Sequence, residues 1–245
     1  MRRVLAGCDV IAHLGFQLWT SREAEGVNLG GTANVIAAAP ARIVLASSAA
    51  VYGAWPDNPL PLTEDHAARP NRRCPYAAHK LEAERRCADA APTASLRICA
   101  VLGPHADPLV KKASAGLRTA VPAARGRRQA VQFLHEDDAA AALHAAIKNE
   151  ASAGLYNIAP HDWLDENAIA LVSGGRVVRL PLSVLVRGSE LARRLHIMDM
   201  GADRAILLNG PLALEPSKAA RDLDWRATQG SAQVLSDFLA AKPLS

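Results

Sequence analysis

Short apolar runs alternate along the chain with amphipathic segments. Residues 9–14 and 42–48 are apolar runs typical of buried strands, and residues 28–39 and 75–90 have the apolar spacing of helices. The pattern continues with a predicted strand at 96–104, a helix at 107–120, a helix within 131–147 and a strand at 154–160. Strands and helices therefore follow one another over most of the chain.

The predicted helix 75–90 carries a pair of chemically suggestive side chains, Tyr76 and Lys80. Residues four apart lie on one face of a helix, about one turn from each other. A phenol ionises near pH ~10, and a fixed ammonium beside it favours the phenolate, so we expect a lowered pKa for Tyr76. Such a pair also arises by chance on surface helices, so the spacing alone only makes Tyr76 a candidate acid or base.

A pair of serines, Ser47 and Ser48, ends the predicted strand 42–48. In open α/β sheets, ligands bind at the carboxyl ends of the strands. The two serines are therefore predicted to lie at a ligand-binding edge.

Several short motifs now occur in a specific order: Ser48 followed by AAVYG, then PLTEDHAARP at 61–70, then YxxxK at 76–80. Together they resemble the extended short-chain dehydrogenase/reductase family, the NAD-dependent epimerases and dehydratases. The resemblance implies an α/β fold with a Rossmann-like, doubly wound parallel sheet. It also implies that Tyr76 is the catalytic acid/base, that Lys80 lowers its pKa and holds the nicotinamide ribose, and that Ser48 hydrogen-bonds the reacting oxygen.

The same resemblance predicts a nicotinamide cofactor, NAD or NADP. Its expected neighbours are Leu14, Gly15, Phe16, Asn28, Ser47, Tyr76, Lys80 and Val101. Relatives seat the pyrophosphate on a glycine-rich turn that precedes the strand corresponding to 9–14. No such motif follows a strand here. We therefore expect an N-terminally truncated sheet with one exposed edge at 9–14, and weak or absent NAD(P) binding.

The resemblance also divides the chain. Residues 1–160 correspond to a partial dinucleotide-binding domain, and residues 161–245 to a small, interleaved C-terminal substrate-binding region that includes Trp225 as a core anchor. The resemblance implies nucleotide sugars as the default substrates, with a sterol-like or small hydroxy-compound as the alternative. However, Ala100 and Leu102 stand where relatives have Asn and Tyr, which leaves the substrate open. Glu64 is a weaker candidate for substrate contact.

Other clusters point to structure rather than chemistry. The run from His135 to Asp138 could suggest a metal, but acidic residues at a helix start more often cap free N–H groups and complement the helix dipole. The four cysteines have no disulfide or metal spacing, so we expect buried thiols, no metal site and a reducing, cytoplasmic location.

The charge balance is mild, with 28 basic and 24 acidic residues and a net charge of +4. The only dense basic patch, Arg125, Arg127 and Arg128, lacks interleaved aromatics, which favours a solvated loop or a phosphate-binding edge over nucleic-acid binding. No apolar stretch is long enough to span a membrane, and the short apolar segment before Cys8 is not a lipoprotein signal. A small molecule is the expected partner, together with a homodimer through helices 28–39 and 75–90, as the resemblance implies.

Two functions remain open from the sequence. The first is an NAD(P)-dependent epimerase/dehydratase-type oxidoreductase that acts on a secondary alcohol. The second is a catalytically silent remnant that keeps the scaffold for protein association. Retention of Ser48, Tyr76 and Lys80 favours the first, and the absent glycine-rich turn favours the second.

Overall fold

Four parallel strands form the main sheet of the protein. The computed structural model describes residue 5 and residues 7–18, 23–195 and 201–241. Its strands are β1 (Val10–His13), β2 (Arg42–Ser48), β3 (Thr93–Ile98), β4 (Ala100–Leu102), β5 (Ala120–Ala124), β6 (Phe133–His135), β7 (Gly154–Ile158) and β8 (Arg176–Leu180). The main sheet has the order β1-β2-β3-β7, and β4–β6 and β5–β8 form two smaller parallel pairs.

Helices cover and connect these strands. They are α1 (Ala24–Ile36), α2 (Pro75–Ala90), α3 (Pro108–Ala115), α4 (Glu136–Lys148), α5 (Glu166–Ser173), α6 (Leu182–Arg194), α7 (Ala202–Leu207), α8 (Ser217–Asp222) and α9 (Ser231–Ala240), with single 3-10 turns at Ala49–Tyr52 and Gly116–Arg118. None of the helices within the described ranges is long and apolar enough to cross a bilayer.

The central residues of strand β2, positions 43–46, are apolar because both faces of the sheet are covered. Val44 faces the cluster that contains the alanines of α4, whereas Ile43 and Leu45 face the cluster built by α1 and α2. All three side chains are fully inaccessible to solvent. The result is an α/β arrangement with helices on both sides of a parallel sheet, as the fold prediction required.

Strand β2 and helix α4 are also joined by a buried arginine. Arg42, the first residue of β2, donates hydrogen bonds to the carbonyl oxygens of Ala146 (2.8 Å), Ile147 (2.5 Å) and Asn149 (2.9 Å). These carbonyls lie at or just beyond the end of α4, where the helix leaves its last acceptors unpaired. One guanidinium thus caps the helix and fixes it to the start of the central strand.

Two element predictions were wrong. The predicted strand 96–104 is two strands, β3 in the main sheet and β4 paired with β6, because the chain leaves the first sheet at Cys99. The predicted helix 107–120 ends as α3 at Ala115 and continues as a 3-10 turn. Its last predicted residue, Ala120, begins β5.

The C-terminal part packs into the rest rather than standing alone. Strand β5 pairs with β8, which joins residues on either side of position 160. Trp225 is 4% exposed and its indole N–H donates to the Asp138 carbonyl oxygen at 3.0 Å, which confirms its role as a core anchor. The sequence before residue 9 also predicts the tail of a helix, and most of that segment lies outside the described residues.

The cysteine prediction was correct for three of the four thiols. Cys74, Cys87 and Cys99 are buried and unpaired, whereas Cys8 is exposed. Cys8 lies just before β1 begins at Val10, so it is not part of the main sheet. Within the described ranges, no three His, Cys, Asp or Glu side chains gather in a way that could hold a metal ion.

Candidate active site

A cavity of about 490 Å³ lies at the carboxyl ends of β2 and β3. Of the residues predicted for the site, it is lined by Leu14, Phe16, Ser47, Ser48, Tyr76, Lys80 and Val101. Gly15 and Asn28 are not among its lining residues. A larger cavity of about 750 Å³ is lined by α6 and the start of α7 but contains none of the predicted site residues. The chemistry is therefore concentrated in the smaller cavity.

The last residues of β2 contact successive turns of α2. The Ala46 carbonyl oxygen accepts a hydrogen bond from Lys80 Nζ, and Ser47 Oγ donates to Glu84 at 2.5 Å. Ser48 lines the same cavity as Tyr76, and its hydroxyl acts to lower the pKa of the phenol. Residues 76, 80 and 84 share one face of α2. This face lies against the last three residues of β2.

Local sequence explains how Ser48 and Tyr76 reach these places. Ser48 Oγ accepts a hydrogen bond from the Ala50 N–H at 3.2 Å and so starts the 3-10 turn after β2. Pro75 is the first residue of α2, a position where its fixed φ angle and missing N–H are well tolerated. Tyr76 is therefore held in the first helical turn, beside the end of the strand.

Lys80 is buried, with only 3% of its surface exposed. Its Nζ atom lies 3.6 Å from the centre of the Phe16 ring and 5.7 Å from the centre of the Tyr76 ring. Burial disfavours the charged form and lowers the pKa of Lys80 to about 7, although the Glu84 carboxylate acts in the opposite direction.

The pKa of Tyr76 differs from the expectation. Burial raises it to about 12, and this effect exceeds the opposing influences of the Ser48 hydrogen bond and the Arg204 charge. The predicted lowering was wrong for this structure, because the lysine ammonium is itself desolvated and is directed at Ala46 and Phe16. At neutral pH the phenol is a proton donor.

The segment after β1 is shaped by Asn28. Asn28 is fully buried, accepts a hydrogen bond from the Gln17 N–H at 2.6 Å and donates to the Gln17 carbonyl oxygen at 3.1 Å. His13 precedes this segment, and its Nε2 atom shares a hydrogen bond with Thr32 Oγ1 at 3.0 Å. Burial lowers the pKa of His13 to about 4. Asn28 thus fixes the backbone beside Phe16 instead of lining the cavity.

A buried polar network lies beneath the site. Glu84 binds Arg97, whose guanidinium carbon lies 4.6 Å from the centre of the Tyr52 ring. The Tyr52 hydroxyl donates to Asn157 Oδ1 at 2.9 Å, and the Asn157 N–H donates to Glu64 at 2.7 Å. In the structure, Glu64 contacts the backbone of β7, which gives it a structural role.

The acidic residues Glu136, Asp137 and Asp138 lie in the first turn of α4, where they complement the helix dipole as predicted, but the capping side chain is not one of these carboxylates. The cap is His135, whose Nδ1 accepts from the Asp137 N–H at 3.2 Å. Asp138 instead accepts from the Thr228 N–H and hydroxyl, both at 3.0 Å, and Glu136 lies 2.5 Å from His105 Nδ1. These carboxylates connect the helix to distant segments.

Sequence reasoning missed several lining residues. Arg204, Leu207, Leu208 and Leu212 contribute one wall of the cavity, and Cys74 contributes to another. Arg204 matters chemically, because its charge favours the ionised form of Tyr76. It lies on α7, far along the chain from Tyr76 and in no recognisable motif, so only the packed structure brings the two together.

The chain matches the NAD dependent epimerase/dehydratase family over residues 1–159. It is 27% identical over 212 residues to uncharacterized proteins of Mycobacterium tuberculosis and Mycobacterium bovis, covering 83% of this chain and 55% of theirs. The chain therefore spans about half the length of these curated relatives.

Similar folds occur among solved structures. MoeE5 in complex with UDP-glucuronic acid and NAD has a TM-score of 0.71 and 19% identity, covering 98% of this chain and 80% of that one. UDP-glucuronic acid 4-epimerase from Bacillus cereus has a TM-score of 0.70 and 19% identity, covering 98% and 77%. dTDP-glucose 4,6-dehydratase from Bacillus anthracis, in complex with NAD, has a TM-score of 0.66 and 17% identity, covering 95% and 71%.

Fold and site together define a Rossmann-like α/β protein with a Ser, a Tyr and a Lys at the carboxyl edge of a parallel sheet. The chain belongs to the NAD-dependent epimerase/dehydratase family.

Proposed function

We propose that this protein is an NAD(P)-dependent oxidoreductase of the epimerase/dehydratase type that acts on a secondary alcohol or the corresponding ketone, carried by a nucleotide sugar. The proposal rests on one observation: Ser48, Tyr76 and Lys80 line the same cavity at the edge of the sheet. Membership of the family and the likeness in fold to nucleotide-sugar enzymes support it.

The residues present fit the nicotinamide half of the cofactor. Leu14, Ile98 and Val101 give apolar walls, and Lys80, which lines the same cavity, can donate a hydrogen bond to the ribose once its ammonium is uncovered. When bound, the nicotinamide supplies or accepts a hydride. The described ranges contain no glycine-rich turn between a strand and a helix to seat the pyrophosphate, so weak binding stays our expectation.

In this mechanism the protein moves a proton at one oxygen of the substrate. Tyr76 is protonated at neutral pH, so in the reductive direction its hydroxyl donates a proton to the oxygen of the ketone. Ser48 lines the same cavity, and its hydroxyl hydrogen-bonds the reacting oxygen in this mechanism. In the oxidative direction the phenolate is needed, and the Arg204 charge favours it.

The substrate assignment is a proposal from the relatives. The nucleotide-sugar ligands belong to the neighbouring structures, and here Ala100 and Leu102 line the cavity with apolar groups. We therefore propose a nucleotide sugar as the substrate. Its reacting ring would lack the polar contacts that the asparagine and tyrosine of relatives provide at these two positions.

Cofactor titration tests the proposal. Purified protein is titrated with NADH and NADPH by fluorescence, and a panel of nucleoside diphosphate sugars is then tested for turnover. Tyr76→Phe is expected to bind the cofactor as the wild type does and to lose turnover by roughly 10²- to 10⁴-fold. Turnover that survives in Tyr76→Phe contradicts the assigned role.

A protein-association scaffold remains the second candidate, because β1 forms one edge of the main sheet in the part of the chain that the structure describes. An unpaired parallel edge favours pairing with another chain. Helices α1 and α2 lie side by side, and the homodimer through them remains a prediction. Sedimentation of the wild type, together with absence of turnover on the nucleotide-sugar panel, separates the two candidates.

A further inference from the structure

The Lys80 ammonium is enclosed on two sides. Its Nζ atom donates to the Ala46 carbonyl oxygen, and the face of the Phe16 ring lies 3.6 Å away. With 3% of the residue exposed, the ammonium has little surface that a ligand oxygen could reach. One of the two neighbours must therefore move before Lys80 can contact any ligand.

The two neighbours differ in how readily they can move. Ala46 belongs to β2, where it pairs with Leu96 of the adjacent strand, so a shift of its carbonyl would disrupt the sheet. Phe16 belongs to an irregular segment beyond the end of β1 and is only half-buried. Gly15, directly before it, has open space around it. The aromatic side chain is thus the movable neighbour.

The backbone of this segment does not need to move with the ring. Asn28 holds Gln17 by two hydrogen bonds, which anchors the chain immediately after Phe16. A rotation of the Phe16 side chain would uncover the ammonium and leave that anchor intact, and exposed or half-buried side chains change rotamer quickly.

We propose that Phe16 is a cap on Lys80 that closes the ammonium to ligands, and that it must swing away before the ribose hydroxyls of the nicotinamide cofactor can bind there. The identity of the ligand rests on the proposed function, whereas closure of Lys80 by the ring does not. Phe16 then weakens binding of the nicotinamide half.

The size of the effect follows from the contact that must be broken. The attraction between an ammonium and an aromatic face in a desolvated place corresponds to roughly a threefold to thirtyfold preference for the closed state. Apparent ligand affinity falls by the same factor, because only the open fraction can bind. Removing the ring should therefore raise the apparent ligand affinity by the same factor.

The test uses Phe16→Ala with two readouts. The first is the rate of Lys80 acetylation by an amine-selective reagent, measured by mass spectrometry against the exposed Lys148 in the same protein. The second is the dissociation constant of NADH and of reduced nicotinamide mononucleotide. Leu14→Ala is the matched control, because Leu14 lies in the same segment and cavity but has no ring to place on the ammonium.

We expect Phe16→Ala to raise the Lys80 acetylation rate about tenfold and to tighten the binding of both ligands by roughly threefold to thirtyfold. Leu14→Ala should leave the relative reactivity of Lys80 unchanged. Phe16→Leu, which keeps most of the apolar volume, should raise the reactivity by a smaller factor and serves if the alanine variant does not fold.

Unchanged reactivity of Lys80 in folded Phe16→Ala overturns the proposal. Weaker cofactor binding in that variant also overturns it, since the ring would then be a support for the ligand. Increased reactivity without any cofactor binding, in wild type or variant, supports the cap and refutes the proposed function.

Discussion

Glu84 and Arg97 form an ion pair that is almost completely buried. Arg97 Nη2 lies 2.8 Å from Glu84 Oε2, and Arg97 Nε lies 3.1 Å from Glu84 Oε1. Ser47 donates a third hydrogen bond to the same carboxylate. Helix α2 is therefore tied to β2 and β3 at one carboxylate, a single turn beyond Lys80, and this contact sets the position of the helix that carries Tyr76 and Lys80.

Substitution of Glu84 should be strongly destabilising. Glu84→Gln leaves the Arg97 charge buried without its partner, and removing one member of a buried pair costs about 3–5 kcal/mol in free energy of unfolding. The measurement is urea unfolding. Glu82→Gln is the control on the same helix, because Glu82 pairs with Arg86 at the surface and should change stability little. Equal effects of the two substitutions would show that the buried pair has no special role.

Stability should depend on pH through Lys80. Its pKa is about 7 in the folded protein, against 10.5 for an ordinary lysine. Between these pH values the unfolded chain binds more protons than the folded protein, so the free energy of unfolding should rise as the pH increases from about 7 towards 10.5.

The Lys80 contribution can be isolated by substitution. Lys80→Met removes the group, so the variant should unfold with a smaller pH slope and be more stable than the wild type at pH 7. The measurement is urea unfolding at several pH values, with Lys148→Met as the exposed control. A wild-type slope that persists in Lys80→Met refutes the assignment.

Arg42 should be difficult to replace. Arg42→Ala removes a donor that three carbonyl oxygens at the end of α4 share. Ala146 and Asn149 keep hydrogen bonds from Ser152, so the Ile147 carbonyl loses most, and a buried acceptor without a donor costs about 1–3 kcal/mol. We expect a loss of roughly 1–3 kcal/mol in the free energy of unfolding, measured by thermal or urea unfolding. Arg42→Lys should recover only part of it, because one ammonium lacks the planar fork of the guanidinium. If Arg42→Lys were as stable as the wild type, the planar guanidinium would not be the reason for the stabilisation.

Glycine substitutions should have opposite effects at two positions. Gly53 has a φ of +67°, and an added Cβ would meet the Arg69 carbonyl oxygen and the Trp55 ring. Gly53→Ala should therefore destabilise the protein by about 1–3 kcal/mol. Gly188 lies inside α6 with open space around it, so Gly188→Ala should stabilise by roughly 0.5–1 kcal/mol. Differential scanning calorimetry of both variants checks the signs.

The sequence was most informative where local pattern and tertiary environment agree. The bounds of β2 and α2 were predicted as they are found, since an apolar run buried on two faces and a helix with proline at its start both carry strong local signals. The clustering of Ser48, Tyr76 and Lys80 also followed, because their motif spans one strand end and the next helix.

The pKa of Tyr76 could not be obtained in this way. Spacing reveals that an ammonium is near a phenol, but the outcome depends on how deeply both are buried and on Arg204, which is more than 100 positions away in the sequence. The division of 96–104 between two sheets was equally hidden, since both strands are short apolar segments and only the pairing partners differ.

The departure of the chain from the main sheet at Cys99 has a mechanical consequence. Residues on both sides of this branch, Ile98 and Val101, line the cavity, and so does Phe133 from the neighbouring strand pair. A molecule bound in this cavity would contact both the main sheet and the separate β4–β6 sheet. Its arrival should stiffen the junction between them, so amide hydrogen exchange should slow in β4 and β6 as well as in β2.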